Sequence, residues 1–292
     1  MSDRFLFWMP TLIWATTWHV ILYEIGEVPA LYSVAMRFAL AAVMLFAIAG
    51  WRGESLHVSK NVHPWLALTG ALQYGLNYVG TYESERYLPS GLVAVLFSLM
   101  IFTNAIGGAL FLAQPIARRI AIGGCMGVTG VALIFWPDIT AAGANPNAWL
   151  GIGLGLMAVT FASLGNILTL RISREGMALV PLLAWSMAYG ALVVLLIAWV
   201  SGVPFVADPR PSYWIAMIYL SAFGSVAAFL LYFKLAQRQG PARAGLMGMV
   251  IPVIALGVSA VLEDWRPTPI AGLGIALCLG GLWSATRRAA AN

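Results

Sequence analysis

The chain has 292 residues, of which 61% are apolar and only 9% are charged. Soluble domains carry about 45–50% apolar and about 25% charged residues, so this composition excludes a soluble domain and predicts a membrane protein. The formal net charge of +5 is therefore attributed to short loops that set the orientation in the membrane, and not to a nucleic-acid partner. Cys125 and Cys278 lie in separate apolar stretches, which predicts no disulfide framework, no metal site and no cofactor.

Ten apolar stretches of about 20 residues each predict ten transmembrane helices joined by short loops. In chain order they run from Phe5 to Leu22, Ala30 to Ala49, Pro64 to Tyr82, Leu88 to Leu112, Ile120 to Trp136, Ala148 to Leu170, Leu179 to Val200, Tyr213 to Phe233, Ala244 to Leu262 and Ile270 to Ala285. The predicted fold class is therefore an all-α membrane protein. The connection from Pro137 to Asn147, which links the two halves, contains no Lys or Arg.

The positive charges alternate between the two sides of this predicted bundle. With the N-terminus placed in the cytoplasm, only Arg86, Arg210 and Arg266 fall outside, and Arg37 lies within a helix. The other twelve of the 16 Lys and Arg residues (16 − 3 − 1) fall inside. Because Lys and Arg are enriched in cytoplasmic loops, we predict a bacterial inner-membrane protein with both termini in the cytoplasm.

The second five helices repeat the first five at an offset of about 150 residues. At that offset the matched pairs are Tyr82 and Tyr232, Gln114 and Asp264, Gly124 and Gly274, and Gly130 and Gly280. Chance alignment of two apolar segments is the alternative, but the shared helix spacing and the charge alternation favour a duplication. Five helices per repeat invert the second repeat, which predicts repeats at 1–136 and 148–292 joined by an outer linker at 137–147.

Several motifs make the chain similar to a known superfamily. They are Trp14-Ala, Pro29 with Arg37-Phe38, Ala113-Gln-Pro, the Gly-rich run 123–130, Ile251-Pro252, Leu262-Glu-Asp-Trp and Gly272-Leu-Gly. The pattern resembles the ten-helix EamA-type branch of the drug/metabolite transporter superfamily, and within it the YddG-type exporters of aromatic amino acids. The resemblance covers almost the whole chain and implies a secondary transporter without specifying its substrate. Gln114 replaces the usual acid, and Met187 replaces a second-half counterpart of Arg37.

Arg37 is a strong base well within a predicted helix. A charged side chain at the centre of a membrane helix costs roughly 2.5–3.5 kcal/mol on insertion scales, so its presence needs a reason. One interpretation is structural, with the guanidinium bonded to helix carbonyls or to Glu24 or Glu27. The other is a docking group for a substrate carboxylate. The resemblance implies an arginine here regardless of substrate, which favours the structural role.

The third predicted helix carries the best candidate for a substrate site. Tyr74, Tyr78 and Tyr82 recur every four residues and share a face with Asn77, close to Gln73. Polar groups at this depth need a partner or water, which leaves three interpretations: helix–helix hydrogen bonds, an interfacial belt, or the wall of a wet cavity. We favour the cavity, in which rings contact an apolar side chain while the amide and hydroxyl groups contact ammonium and carboxylate groups.

Further aromatic residues extend this candidate site. Trp14 and Trp18 are four residues apart in the first helix, where they either fill the core, face lipid or complete an aromatic box. His19 lies near the outer end of that helix, where a lone histidine is more often a satisfied polar residue than a proton carrier. Trp185 is the candidate from the second half. Weaker candidates at similar depth are Phe161, Asn166, Ser221, Ser225 and Met247.

Glycine and proline residues indicate which helices move. Gly248 and Pro252 lie within the ninth helix, where proline removes one backbone hydrogen bond and permits a kink. The equivalent part of the fourth helix is 98–101. Because inverted repeats bend at equivalent places, we predict hinges at both positions, with the Gly-rich fifth and tenth helices closely packed and fixed. Static kinks in a rigid bundle are the alternative.

The sequence contains no catalytic motif, P-loop or metal-binding motif, so we predict that the protein is not an enzyme. Its acidic residues lie in loops or at helix ends, which argues against a pump driven through a carboxylate in mid-membrane. We predict an alternating-access exporter of small metabolites, above all aromatic or hydrophobic amino acids. A channel or a lipid-handling bundle without a binding cycle is the alternative. The expected partners are this substrate and membrane lipid; the oligomeric state stays open, a monomer included.

Overall fold

The computed structural model describes residues 1–21, 23–24, 26–88, 90–142, 147–262 and 268–286. Within these residues ten helices follow one another: α1 (Asp3–Ile21), α2 (Ala30–Trp51), α3 (His63–Gly70, Ala71–Leu76 and Asn77–Glu85), α4 (Ser90–Ser98 and Met100–Leu112), α5 (Arg118–Ile134), α6 (Ala148–Arg174), α7 (Leu179–Val200), α8 (Pro211–Tyr219, Leu220–Ala227 and Ala228–Gln239), α9 (Pro241–Ala244 and Met247–Leu262) and α10 (Pro269–Thr286). A short helix, Trp136–Ala142, begins at the last residue of the predicted fifth helix and extends into the predicted linker. Asp264 and Arg266 lie outside the described residues, as do Arg287 and Arg288, two of the twelve charges predicted to be inside.

The predicted all-α membrane fold is confirmed. In the described part of the chain, six helices are long and apolar enough to span a membrane by length and composition: Ala30–Trp51, Val95–Leu112, Ala148–Arg174, Leu179–Val200, Pro211–Gln239 and Pro269–Thr286. The remaining helices of the ten are shorter, are interrupted or carry more polar residues. α8 continues as far as Gln239, beyond the predicted end at Phe233.

Two helices contain a π-helical segment at equivalent places in the two halves. The segments are Ala71–Leu76 in α3 and Leu220–Ala227 in α8. Adding the offset of about 150 residues moves 71–76 to 221–226, inside the second segment. A π-helical turn contains one extra residue, and such turns are frequent at functional sites. Hydrophobic periodicity predicts neither segment, because the apolar pattern of both helices continues through them.

α4 is interrupted at Leu99, inside the region predicted to be a hinge. Ser98 Oγ donates a hydrogen bond of 2.6 Å to the Val95 carbonyl. The Leu99 amide bonds to the Leu96 carbonyl, three residues back rather than four. A serine that bonds to a carbonyl of its own helix bends that helix, which accounts for the interruption. Movement at this position stays a prediction.

The glycine-rich helices α5 and α10 pack against each other along their length. A Cβ added to Gly130 would lie 2.5 Å from the Gly274 carbonyl oxygen, and one added to Gly123 would lie 2.5 Å from that of Gly281. Small residues allow membrane helices to approach this closely. The close packing predicted for these two helices is therefore observed, and each is the other's partner. α2 and α7 form a second extensive contact, between the two halves.

Candidate functional site

A cavity of about 190 Å³ lies between the two halves. Its lining residues come from α1, α2, α3 and α4 of the first half and from α6, α8 and α9 of the second. The predicted site residues among them are Trp14, Arg37, Asn77, Tyr78, Tyr82, Gly248 and Pro252. Asn166 and Met247, weaker candidates, also line it. Tyr82 and Tyr232, which the repeat pairs, both face this space.

Trp14 is held rigidly in the cavity wall between α1 and α8. Its indole N–H donates a hydrogen bond of 3.0 Å to the carbonyl oxygen of Gly224, which lies in the π-helical segment of α8. Its ring packs against Phe229 and Tyr232, with centroids 5.3 and 5.5 Å apart. The π-helical segment thus supplies a carbonyl acceptor for Trp14, and the aromatic cluster fixes the ring.

Arg37 connects α2 to the π-helical segment of α8. Its Nε donates a hydrogen bond of 3.0 Å to Ser225 Oγ, and its guanidinium lies over the rings of Phe38 and Tyr78 at 5.6 and 5.4 Å from their centroids. Ser221 Oγ in turn donates to the Arg37 carbonyl at 3.1 Å. The side chain is only 3% exposed, yet it lines the cavity. Arg37 therefore joins α2 to α8 and also lines the cavity, so its structural role and its role as a docking group both stay predictions.

Glu24 lies in the connection between α1 and α2 and is only 4% exposed. Neither of its carboxyl oxygens has a hydrogen-bond partner within the described part of the chain. Burial raises the pKa of Glu24 to about 7, and the positive charge of Arg37 opposes part of this rise. Glu24 therefore interacts with Arg37 through its charge, whereas the hydrogen bond of Arg37 goes to Ser225.

The residues predicted to share one face of α3 do not all reach the cavity. Asn77, Tyr78 and Tyr82 line the cavity. Tyr74 is fully buried and packs against Phe38 and Phe229, each with its ring centroid 5.1 Å away. Its hydroxyl group has no hydrogen-bond partner. Tyr74 therefore supports the cavity wall from behind in this conformation.

A buried polar network lies beside the cavity between α4, α6 and α8. Asn104 donates a hydrogen bond of 3.2 Å to the Tyr232 hydroxyl. The Asn104 side-chain oxygen accepts hydrogen bonds from Ser163 at 2.9 Å and from Asn166 at 3.3 Å. Asn104 and Ser163 are absent from the predicted site. The signal in the sequence is the presence of amides within apolar helices, but their mutual contact joins residues about 60 positions apart and requires the fold.

Trp185 and His19 are not among the cavity-lining residues. Trp185 donates a hydrogen bond of 3.2 Å from its indole to the Leu56 carbonyl and stacks on Tyr189. His19 packs against Tyr23, with ring centroids 6.0 Å apart. The side chain of Trp18 lies outside the part of the chain that the structure describes.

The sequence model of the EamA-like transporter family matches residues 4–136 and again residues 149–287. The chain belongs to this family. EamA-like proteins are members of the drug/metabolite transporter superfamily, so the predicted membership is confirmed. One match falls in each half of the chain, although the predicted repeat boundaries and linker stay predictions.

Two relatives and one solved structure are similar to this chain. Protein PagO of Salmonella typhimurium is 25% identical over 266 residues, which cover 91% of this chain and 85% of PagO. The inner membrane transporter YedA of Escherichia coli strain K12 is 27% identical over 252 residues, which cover 84% of this chain and 78% of YedA. A crystal structure at 18% identity shares the fold with a TM-score of 0.80, covering 98% of this chain and 97% of its own.

Together these findings describe a multi-pass protein of the inner membrane from a family of transporters. The names of the relatives specify no substrate, so the closer likeness to YddG-type exporters of aromatic amino acids stays a prediction. Among the described residues, no group of three or more His, Cys, Asp or Glu side chains is arranged to hold a metal ion.

Proposed function

We propose that the protein is a secondary transporter that exports small amphipathic metabolites, above all aromatic or hydrophobic amino acids, by alternating access. The observation that carries this proposal is the cavity between the two halves. Transporters built from inverted repeats bind their substrates near the midplane, where the repeats meet. At about 190 Å³ the cavity far exceeds the ~10–15 Å³ that a single water molecule requires.

The lining offers a separate contact for each part of an amino acid. Trp14, Tyr78 and Phe229 present aromatic surface, which suits an aromatic or aliphatic side chain. Arg37 supplies a positive charge for a carboxylate group, and its planar guanidinium suits that partner. The amides of α3 and α6 provide neutral hydrogen-bonding groups. This mixture of apolar wall and few polar groups is typical of small-molecule sites.

The contacts at one end of the bundle support an outward-facing conformation with both termini in the cytoplasm. Asp3, at the start of α1, accepts hydrogen bonds of 2.9 Å from Arg238 and 2.6 Å from Gln239 at the end of α8. These contacts join the predicted inner ends of the two helices. The cavity reaches toward the other end, where Ile21 and Tyr82 line it, and it extends inward as far as Ala244 and Gly245 near the start of α9. The inner side is thus the closed side in this proposal.

Flux measurements on purified protein in proteoliposomes test the proposal. Uptake of radiolabelled phenylalanine should saturate with concentration and should be inhibited by unlabelled aromatic and aliphatic amino acids more strongly than by acidic ones. Flux that rises linearly with concentration and ignores every competitor would identify a channel instead. Protein-free liposomes and a denatured sample provide the background.

A further inference from the structure

Three buried side-chain amide oxygens on cavity-lining residues have no hydrogen-bond partner among the residues that the structure describes. They are Gln73 Oε1 and Asn77 Oδ1 on α3 and Asn166 Oδ1 on α6. Buried polar atoms are nearly always paired in folded proteins, and each unpaired one is costly. Three unpaired acceptors on residues that line one cavity therefore need an explanation beyond the packing of the helices.

The orientation of Asn77 is fixed by a partner that can only accept. Its Nδ2 donates a hydrogen bond of 3.1 Å to the backbone carbonyl of Gln73. A carbonyl oxygen cannot donate, so the amide cannot be reversed without losing this bond. The oxygen of Asn77 is consequently the end that stays unpaired.

The orientation of Asn166 follows from the polar network in the same way. The Nδ2 of Asn104 donates to the backbone carbonyl of Pro241 at 3.5 Å and to the Tyr232 hydroxyl at 3.2 Å. The oxygen of Asn104 therefore faces Asn166, whose Nδ2 donates to it at 3.3 Å. The oxygen of Asn166 is left without a donor.

The third acceptor lies against the helix that carries Asn166. A Cβ added to Gly165 would lie 2.6 Å from Gln73 Oε1, so the Gln73 amide rests on the α6 backbone next to Asn166. Gln73 and Asn77 are four residues apart on α3, which faces α6 at this point. The three residues thus lie on two helices that pack against each other, one from each half.

We infer that Gln73, Asn77 and Asn166 form a subsite for the primary ammonium group of the transported molecule. An ammonium group has three N–H donors and no acceptor, which matches a set of acceptors that lack donors. The same oxygens repel a carboxylate, which Arg37 attracts elsewhere in the lining. Neutral amides also bind the cation without the strong attraction of a carboxylate, which suits a site that must release its ligand. The inference rests on the proposed transport function and names the group that the site selects.

Analogues of one substrate that each lack a single group provide the test. We expect phenethylamine, which keeps the ammonium group, to compete with labelled phenylalanine about tenfold better than 3-phenylpropionate, which lacks it. Asn166→Leu and Asn77→Leu should each remove most of this preference. Asn166→Asp should instead strengthen phenethylamine binding, because it retains the acceptor and adds a negative charge. Equal competition by the two analogues in the wild type would overturn the inference.

Direct binding separates this inference from the proposed function. Calorimetry with phenethylamine on detergent-solubilised protein at pH 7, where the amine is protonated, does not depend on transport. Binding that Asn166→Leu weakens about tenfold, in a protein without flux, would retain the subsite and reject the transporter. Flux without any preference for amines would retain the transporter and reject the subsite. Ser186→Ala is the matched control, because Ser186 is a buried unpaired hydroxyl outside the cavity lining.

An alkali cation is the rival occupant, since amide oxygens also coordinate such ions. Replacing Na⁺ and K⁺ by an impermeant organic cation should leave phenethylamine binding unchanged. A loss of the analogue preference in that buffer, restored by Na⁺, would assign the three oxygens to a metal cation and overturn the inference.

Discussion

At the scale of single residues, Tyr78 and Asn77 form the part of α3 that reaches the cavity. Tyr78→Ala and Asn77→Ala should reduce phenylalanine flux at least tenfold and should affect the melting temperature less strongly, because both residues line the cavity. Flux in proteoliposomes and thermal unfolding in detergent measure the two effects. Parallel losses of flux and melting temperature would show that both residues serve packing alone.

Trp14 and Trp185 form a matched pair of tryptophans, one inside the cavity lining and one outside it. Trp14→Ala should weaken competition by aromatic amino acids more than competition by leucine, because it removes the aromatic wall that contacts the substrate side chain. Trp185→Ala should lower the melting temperature and leave the ranking of competitors unchanged. A changed ranking in Trp185→Ala would restore that residue to the substrate site.

Glu24 should make the stability of the protein depend on pH. Its pKa in the folded protein is about 7, compared with 4.5 for the free side chain. The folded protein therefore holds a proton that the unfolded chain releases, so this contribution to stability is complete below pH 4.5 and is lost as the pH rises through 7. Glu24→Gln should flatten the decline in melting temperature between pH 5 and pH 8. An unchanged decline in the variant would contradict the assignment.

Part of the site can be predicted from the spacing of residues. Tyr74 is the exception, for a physical reason. Spacings of three and four residues place Asn77, Tyr78 and Tyr82 together with Tyr74 only if the helix keeps 3.6 residues per turn. The π-helical segment Ala71–Leu76 includes Tyr74 and adds a residue to the turn, which rotates it away from the others. The unpaired oxygens likewise depend on bonds between distant residues, which the sequence does not display.

At the scale of helices, two glycines of α10 allow a controlled test of the α5–α10 contact. A Cβ at Gly274 would lie 2.5 Å from the Gly130 carbonyl oxygen, whereas a Cβ at Gly272 meets nothing within 4 Å. Gly274→Ala should therefore destabilise the protein by about 1–3 kcal/mol through overpacking. Gly272→Ala should have no such effect, as thermal or denaturant unfolding would show. Equal stability of the two variants would mean that the helices are further apart.

The two predicted hinges lie in contact with each other. A Cβ at Gly248 of α9 would lie 3.6 Å from the Phe97 carbonyl oxygen and 4.0 Å from Ser98 Cα, next to the interruption of α4. We expect Pro252→Ala to restore one backbone hydrogen bond, stiffen α9 and lower turnover while substrate affinity changes little. Gly257→Ala is the control, because Gly257 lies in α9 beyond the predicted hinge and an added methyl group would meet nothing within 4 Å.

Distances between spin labels measure the predicted movement of the same two helices directly. Labels near the inner ends of α4 and α9 should show two distance populations that substrate redistributes. Pro252→Ala should shift the balance between them. A single distance that ignores both substrate and the substitution would reject the moving helices and favour static kinks.

The sequence predicts the helices well because apolar runs of membrane length are their cause. The starts of α2, α6 and α7 at Ala30, Ala148 and Leu179 agree with the prediction. The interruption of α4 is different, since it depends on a serine that bonds to its own helix. A hydropathy pattern does not indicate that competition between side chain and backbone. It does not indicate the π-helical segments either.

At the scale of the whole molecule, the orientation rests on the distribution of Lys and Arg. A single cysteine introduced as Ala142→Cys, in a background without Cys125 and Cys278, should react with an impermeant maleimide added to intact spheroplasts. Reporter domains fused to either terminus should remain cytoplasmic. Labelling of position 142 only after lysis would reverse the orientation and require a different number of membrane crossings.

Counterflow tests the central claim, that one cavity binds a substrate and faces each side of the membrane in turn. Proteoliposomes preloaded with unlabelled phenylalanine should accumulate labelled phenylalanine transiently above its outside concentration, because each site that returns inward carries a label. Empty proteoliposomes should show slower uptake without this overshoot. Uptake that is identical in loaded and empty proteoliposomes, without an overshoot, would contradict alternating access and leave a channel as the function.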